Sequence, residues 1–187
     1  MHDTPPLHAS LGSFLASVER RALRIAQQAT RDRDEALDLV QDAMLRLARR
    51  YGSRPSAEWA PLFHRILVNR IRDWQRGRKL RARLFFWERP AADDADDALD
   101  RVEDPDAREG AGELQGEQSL RQLEAALGRL PDRQREAFQL RVWEGLSVEQ
   151  TALAMSCSAG SVKTHLFRAM QALKDELDYD FGSRSQT

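Results

Sequence analysis

The chain has 187 residues, of which 32% are charged, and a formal net charge of -1, so it is long enough for one large domain or two small ones. Its single cysteine excludes an intramolecular disulfide framework. Strand signals are almost absent, and the dominant Ala, Leu, Arg, Gln and Glu are good helix formers, which predicts an all-α fold.

The first residues, MHDTPPLHAS, contain no basic segment followed by an apolar run, so we expect no secretory signal. A membrane span needs about 18 consecutive apolar residues. The sequence has no such run, so we expect no membrane insertion and a cytoplasmic protein.

Two helices are predicted at the start of the chain, over residues 11–30 and 32–51, with a break at residues 52–55. On the second helix, apolar residues recur at spacings of three, four and three and predict one buried face. They are Leu37, Val40, Met44 and Leu47. Another side of this helix carries Asp38, Gln41, Asp42 and Arg46. By themselves, such residues are typical of a solvated surface.

A third helix, predicted over residues 59–78, mixes apolar and aromatic residues with basic ones. The polar set includes Arg65, Asn69, Arg70, Arg72 and Arg76. This combination suits single-stranded DNA, because cations follow the phosphates while aromatic faces or shaped pockets hold unstacked bases. Trp74 lies in the apolar stripe, where core packing is favoured over base stacking.

An aromatic cluster follows, at Phe85, Phe86 and Trp87. Three roles are open for it: packing on the domain, docking on a larger partner, or receiving an inhibitory protein. The sequence does not choose among them.

Charge is sorted by segment along the chain. Residues 14–89 contain 18 Lys and Arg against 9 Asp and Glu, whereas residues 90–119 contain 2 against 11. The acidic segment has few large apolar residues and cannot bury enough surface to offset its chain entropy, so we expect it to be disordered or weakly helical. The sequence therefore predicts two small helical domains, 11–89 and 120–177, joined by a flexible acidic linker at 90–119.

The last third of the chain has the pattern of a helix followed by a helix-turn-helix. Pro131 and Asp132 open the first helix and Gly145 closes it. Ser147 is placed to cap the next helix, over residues 148–155, before a polar turn at residues 156–158. A final helix begins at about Ala159.

This final helix is predicted to be amphipathic. Its buried stripe is Val162, Leu166, Ala169 and Leu173, at spacings of four, three and four. Its polar face presents Ser161, Lys163, Thr164, His165 and Arg168. Such side chains donate to phosphates and base edges, so we expect this face to bind DNA. The plainer alternative is a helical hairpin with a solvated polar face.

No catalytic or metal-binding pattern is present in the sequence. The four histidines are scattered, no Cys/His spacing fits a zinc site, and a glycine-rich phosphate loop of the G-x-x-x-x-G-K type is missing. Cys157 is expected to be a small packing residue in the helix-turn-helix turn. We therefore expect a protein that is not an enzyme and needs no cofactor or metal.

Four segments resemble bacterial RNA polymerase sigma factors, in particular the extracytoplasmic-function (ECF) group of the sigma-70 superfamily. The stretch DLVQDAMLRLARR, from Asp38, resembles region 2.2, and PLFHRILVNRIRDWQRGRK, from Pro61, resembles regions 2.3 and 2.4. LPDRQREAFQLRVWEGLSVEQTA and CSAGSVKTHLFRAMQAL resemble region 4. Two departures are visible: Ser156 and Ser158 flank the turn cysteine, and Leu62 stands where the family usually has an aromatic residue.

The resemblance implies a role for each of these surfaces. Asp38, Gln41 and Asp42 would grip the β′ clamp helices of core polymerase, and region 4 would meet the β flap. The basic third helix would read the minus-10 element, with Asn69 assisting base capture and Arg70 and Arg72 contacting the backbone. The polar face of the last helix would read the minus-35 element. The linker would either lie in a basic polymerase channel or simply keep the domains soluble.

The leading hypothesis is thus an alternative sigma factor whose partners are core RNA polymerase and promoter DNA, with an anti-sigma factor as a further partner that the family allows. Two other classes stay open. A stand-alone helix-turn-helix regulator would bind its operator tightly without polymerase, and an anti-sigma or adaptor protein would bind no DNA.

Overall fold

The computed structural model describes residues 10–88 and 111–184, with side chains described over residues 10–82 and 119–177. Every regular element in these ranges is helical. The helices are α1 (Leu11–Thr30), α2 (Arg33–Tyr51), α3 (Ser56–Glu88), α4 (Ala111–Arg129), α5 (Asp132–Phe138), α6 (Val148–Met155) and α7 (Ala159–Arg184). The all-α prediction is confirmed.

Helices α1, α2 and α3 pack around a first apolar core. The join between α1 and α2 is short because Arg31 ends α1 in the left-handed region, at φ 56°, and Asp32 caps α2. The Asp32 carboxylate accepts from the backbone N–H groups of Asp34, at 2.9 Å, and Glu35, at 3.0 Å. On α2, Val40 and Leu47 of the predicted stripe are buried, whereas Leu37 and Met44 are half-buried.

Helix α3 is longer than the predicted 59–78 and includes Pro61 near its start. Proline lacks an N–H, so Pro61 costs the helix one backbone bond, and the helix continues to Glu88. The side chains of Phe85, Phe86 and Trp87 lie outside the described residues. So do residues 90–110 of the predicted linker, whereas residues 111–119 form the first part of α4.

Helices α4 to α7 contribute most residues of two further apolar clusters. Helix α5 continues into a π-helical turn, Gln139–Trp143, and Gly145 follows with φ +64°, a conformation that glycine adopts without strain. Ser147 and Gln150 form a reciprocal capping box, in which the Ser147 hydroxyl accepts from the Gln150 N–H at 3.1 Å and the Gln150 side chain accepts from the Ser147 N–H at 2.8 Å. The predicted helix-turn-helix is confirmed, with α6 at the predicted bounds.

The two helical groups pack against each other, mainly through α3 and α6. Val68 of α3 is buried in the cluster that contains Leu140, Met155 and Val162. Trp143 reaches the other way and packs against the core formed by α1, α2 and α3. No pattern in the sequence indicates this contact.

Candidate nucleic-acid interface

Helix α7 separates its buried and polar residues as predicted. Val162 and Ala169 are fully buried, Leu173 is buried, and Leu166 is half-buried. On the polar face, Lys163, Thr164 and Arg168 are exposed, whereas Ser161 and His165 are half-buried. The five residues predicted to meet minus-35 DNA therefore lie near the start of the second helix of the motif, three of them open to solvent.

The first turn of α7 is built by its own serines. The Ser158 hydroxyl accepts from the Ser161 backbone N–H at 3.1 Å, and the two hydroxyl oxygens lie 2.9 Å apart. This arrangement caps the positive end of α7, where helix N–H groups favour a phosphate. Ser161 thus contributes to capping as well as to the polar face.

The turn before α7 depends on Ser156, which ends α6 at φ 54° and ψ 52°. The left-handed conformation is sterically unfavourable for a residue with a Cβ atom, so the backbone of this turn is strained at Ser156. Cys157 follows it half-buried, and burial raises the pKa of its thiol. A raised thiol pKa disfavours the reactive thiolate.

Four of the five residues predicted to meet minus-10 DNA share one face of α3, because they follow each other at spacings of four, three and four. They are Arg65, Asn69, Arg72 and Arg76. Arg65, Asn69 and Arg76 are exposed, and Arg76 pairs with Asp73 one turn before it. Arg70 points elsewhere, toward α2.

Arg72 is held by the helix-turn-helix half of the chain. Its guanidinium donates to both carboxylate oxygens of Glu136, from Nε at 2.9 Å and from Nη2 at 2.5 Å, and to the Met155 carbonyl at 3.2 Å. Arg133 donates to the same carbonyl at 3.0 Å. Burial is the largest influence on Glu136 and raises its pKa above the ordinary value, even though the Arg72 charge opposes this shift.

The residues predicted to meet polymerase lie on the outer side of α2. Asp38 and Gln41 are exposed, whereas Asp42 is half-buried between two arginines. The Asp42 carboxylate lies 2.9 Å from Arg46 Nε and 2.5 Å from Arg70 Nε. A residue predicted to meet polymerase and one predicted to meet minus-10 DNA are thus joined in one cluster.

Glu144 forms a buried polar site that the sequence did not reveal. Its side chain is 2% exposed and lies 3.2 Å from the Nε2 atom of His64, which is 1% exposed. The Arg21 Nε–H also donates to the Glu144 carboxylate, at 3.2 Å to each oxygen. Burial alone would raise the pKa of Glu144, but the hydrogen bond from His64 and the charges of His64 and Arg21 outweigh it and lower the pKa.

A partly buried hydrogen bond joins the same two halves, from Gln139 Nε2 to Gln28 Oε1 at 2.9 Å. In the sequence these partners are 111 residues apart. Nothing in the local sequence distinguishes Gln139 and Glu144 from ordinary polar residues of a helix end.

Within residues 10–82 and 119–177, no group of three or more His, Cys, Asp or Glu side chains is arranged to hold a metal ion. Among the helices that the structure describes, none is both long and apolar enough to cross a membrane.

The fold and these surfaces define the class: a helix-turn-helix protein with a second helical bundle that presents a basic helix. The family description "Sigma-70 region 2" matches residues 14–81, and "Sigma-70, region 4" matches residues 120–173. The chain therefore belongs to the sigma-70 family of RNA polymerase sigma factors, in its ECF group. This membership favours a sigma factor over a stand-alone regulator.

Individual relatives agree with this placement. The RNA polymerase sigma-E factor of Streptomyces coelicolor is 34% identical over 159 residues, which cover 83% of this chain and 78% of the relative. The ECF RNA polymerase sigma factor SigD of Mycobacterium tuberculosis is 44% identical over 59 residues, 32% of this chain and 28% of the relative. The sigma factor RpoE of Bartonella quintana, solved in complex with the anti-sigma factor NepR, aligns with a TM-score of 0.59 and 26% identity over 90% of this chain and 98% of that one.

Proposed function

We propose that this sigma factor binds core RNA polymerase and directs it to promoters by reading the minus-35 element with α7 and the minus-10 element with α3. The observation that carries the proposal is the polar face of α7. Lys163, Thr164 and Arg168 are exposed on it, opposite a buried stripe. In a helix-turn-helix protein, the N-terminal part of this helix enters the major groove.

The face of α3 supports a minus-10 role. Arg65, Asn69 and Arg76 are exposed along one line of this helix, with Arg72 between them. In our proposal the arginines contact the strand backbone and Asn69 assists capture of an unstacked base. Binding energy alone favours the melted state, so the chain itself catalyses no reaction.

Asp38, Gln41 and Asp42 on α2 are the proposed contacts to the β′ clamp helices, and the region 4 half is the proposed contact to the β flap. We assign residues 11–89 and 120–177 to the two domains and 90–119 to the linker. The aligned relative from Bartonella quintana is bound by an anti-sigma factor, which supports an inhibitor of that kind for this chain as well. We propose a cytoplasmic location, which these partners support.

Runoff transcription with purified core polymerase and a genomic DNA library tests the proposal. New transcript starts that share a pair of upstream elements are expected only when the protein is present. Lys163→Ala should reduce these transcripts at least fivefold while core binding persists, because it removes a cation from the exposed face of α7. Lys174→Ala, which removes an exposed cation further along α7, is the matched control and should leave transcription unchanged.

Two outcomes would overturn the proposal. Tight binding to duplex DNA without any new starts would indicate a stand-alone regulator. Equal losses from Lys163→Ala and Lys174→Ala would show that the two lysines act only through overall charge.

A further inference from the structure

A polar cleft of about 400 Å³ lies where the end of α1, helix α3 and the junction of α4 and α5 meet. This volume is within the range of small-molecule binding sites. The end of α1, Gln75 of α3, residues 128–132 and Arg135 line the cleft. None of these residues belongs to the surfaces proposed above for DNA or polymerase.

Arg135 is the buried cation of this cleft, since only 7% of the residue is exposed. Its Nη2 donates to the Asp132 carboxylate at 2.5 Å, and its Nη1 lies 3.5 Å from the Leu130 carbonyl, a weak contact. A guanidinium has five N–H donors, so most of those of Arg135 have no partner among the described residues. A buried guanidinium with unused donors favours an anion beside it.

Two more arginines lie at the rim of the cleft. Arg129 is 66% exposed and pairs with Glu176 of α7, whereas Arg31 is exposed and has no ion-pair partner among the described residues. Arg31 also adopts the left-handed conformation, at φ 56°, which glycine would adopt without strain. Among the described residues of the lining, Asp132 is the one carboxylate against three arginines, so the cleft carries a net positive charge.

Two glutamine amides add neutral donors to the lining. Gln28 Oε1 accepts from Gln139, but Gln28 Nε2 is buried and has no partner in the part of the chain that the structure describes. The half-buried side chain of Gln75 makes no hydrogen bond to a described residue. A buried N–H without a partner costs free energy, so an acceptor bound in the cleft would be stabilising.

The lining favours a ligand that is polar throughout. Its apolar side chains are few, so an aromatic or aliphatic group would bury little apolar surface by entering. Guanidinium and amide N–H groups bind phosphate oxygens, and arginine does so with paired hydrogen bonds.

We propose that this cleft is a binding site for a small phosphorylated molecule. Arg135 and Arg31 bind its phosphate groups, and the amides of Gln28 and Gln75 donate to its remaining oxygens. Pyrophosphate is the simplest ligand of this class. The site is separate from the proposed polymerase and promoter contacts, so the inference does not rest on the proposed function.

Isothermal titration calorimetry of the full chain with pyrophosphate tests the site. In about 0.1 M salt, where charges are screened beyond about 10 Å, we expect saturable binding of one pyrophosphate per chain. Arg31→Gln should weaken the affinity by about fivefold or more, because it removes a charge-assisted contact. Arg33→Gln is the matched control, since it removes the same charge from an exposed position outside the cleft, and should change the affinity by less than about twofold.

Filling the cleft tests its position without changing its charge. A Cβ atom at Gly128 would meet no atom within 4 Å, so Gly128→Leu places a side chain in the open space of the cleft and also suits the helix. We expect the affinity for pyrophosphate to fall by about tenfold or more, because the side chain occupies the ligand's volume. Gly12→Leu, at the exposed start of α1, is the control and should bind normally, and circular dichroism shows whether both variants keep their helices.

Nuclear magnetic resonance locates the ligand directly. The side-chain amide signals of Gln28 and Gln75 should shift when pyrophosphate is added, whereas the signal of Gln41, exposed on α2, should not. Glucose 6-phosphate and ADP, titrated in the same way, show whether a sugar phosphate or a nucleotide fits the cleft better than pyrophosphate.

Several results would overturn the proposal. Pyrophosphate that does not bind saturably would exclude the site, and equal losses from Arg31→Gln and Arg33→Gln would indicate attraction by overall charge. Citrate that binds as tightly as pyrophosphate would replace the phosphate assignment by a carboxylate one. A DNA duplex that displaces pyrophosphate, and that itself binds more weakly to Gly128→Leu, would assign the cleft to the nucleic-acid backbone.

Discussion

Replacing Glu144 by Gln should loosen the contact between the two halves without unfolding either. The substitution keeps the size of the side chain but removes its charge and one acceptor oxygen. Because Arg21 is 49% exposed, solvent already screens its pair with Glu144, and we expect a loss of less than about 1 kcal/mol from it. His64 is 1% exposed, so weakening its hydrogen bond leaves a buried donor poorly satisfied.

A poorly satisfied buried group costs about 1 to 3 kcal/mol, and this range sets the expected effect. It corresponds to a roughly 5- to 150-fold shift from the closed form, in which the two halves are in contact, toward an open form, in which they are separated. The free energy of unfolding of each helical group should change little, because the Glu144 carboxylate bonds mainly across the contact.

Single-molecule energy transfer measures the shift. Dyes at Ala48→Cys on α2 and Lys174→Cys on α7, both exposed positions, report the separation of the two halves in a Cys157→Ser background. Glu149→Gln is the matched control, because it makes the same charge change at an exposed position of α6. Equal populations of the open form in the Glu144→Gln and Glu149→Gln variants would refute the reasoning.

The pH dependence of the contact between the two halves follows from the lowered pKa of Glu144. Burial opposes this lowering, whereas His64 and Arg21 produce it. A carboxyl group with a lowered pKa stabilises the closed form above its ordinary value of 4.5, and this contribution is lost as the pH falls through the lowered pKa. Glu136 has the opposite dependence, because burial raises its pKa. Its contribution to the stability of the closed form is present at low pH and is lost as the pH rises through that raised pKa. The difference in closure between wild type and Glu144→Gln should therefore shrink in acid, and a difference that stays constant down to pH 3 would contradict this.

Three further predictions concern other parts of the molecule. Ser156→Gly should raise the free energy of unfolding by about 0.5 to 1 kcal/mol in a denaturant titration, because glycine adopts the left-handed turn without strain; a loss would contradict the strain argument. Val162→Ala should lower it by about 2 to 3 kcal/mol, since the side chain is fully buried, whereas an exposed Lys163→Ala should change it by less than about 0.5 kcal/mol. Asp38→Ala combined with Gln41→Ala should weaken core polymerase binding in a fluorescence titration, and unchanged affinity would refute the proposed contact.

Local structure was predictable wherever the residues that cause it lie within one short segment of the sequence. The Ser147 cap, the α6 bounds at Val148–Met155 and the buried stripe through Val162 and Ala169 all follow from residues within a few positions of each other. Capping and helical periodicity act over one or two turns, so a single sequence contains the information. The π-helical turn at Gln139–Trp143 was not foreseen, because no residue pattern marks it.

Candidate site residues were predictable to the level of a helix face. The spacing of Arg65, Asn69 and Arg72 places them together on α3. Which of them is open to solvent depends on what packs there, and only the structure separates the exposed Asn69 from Arg72, which Glu136 holds.

The sequence by itself thus determined an all-α chain, its helix-turn-helix and the faces of its helices, because propensity, capping and periodicity are local. Tertiary structure alone decided that the two halves close on each other, that Glu144 is buried beside His64 and Arg21, and that Arg72 is covered. These contacts join residues 64 to 123 positions apart. No local pattern encodes such pairs, because their energy comes from desolvation and charge complementarity that exist only once the two surfaces meet.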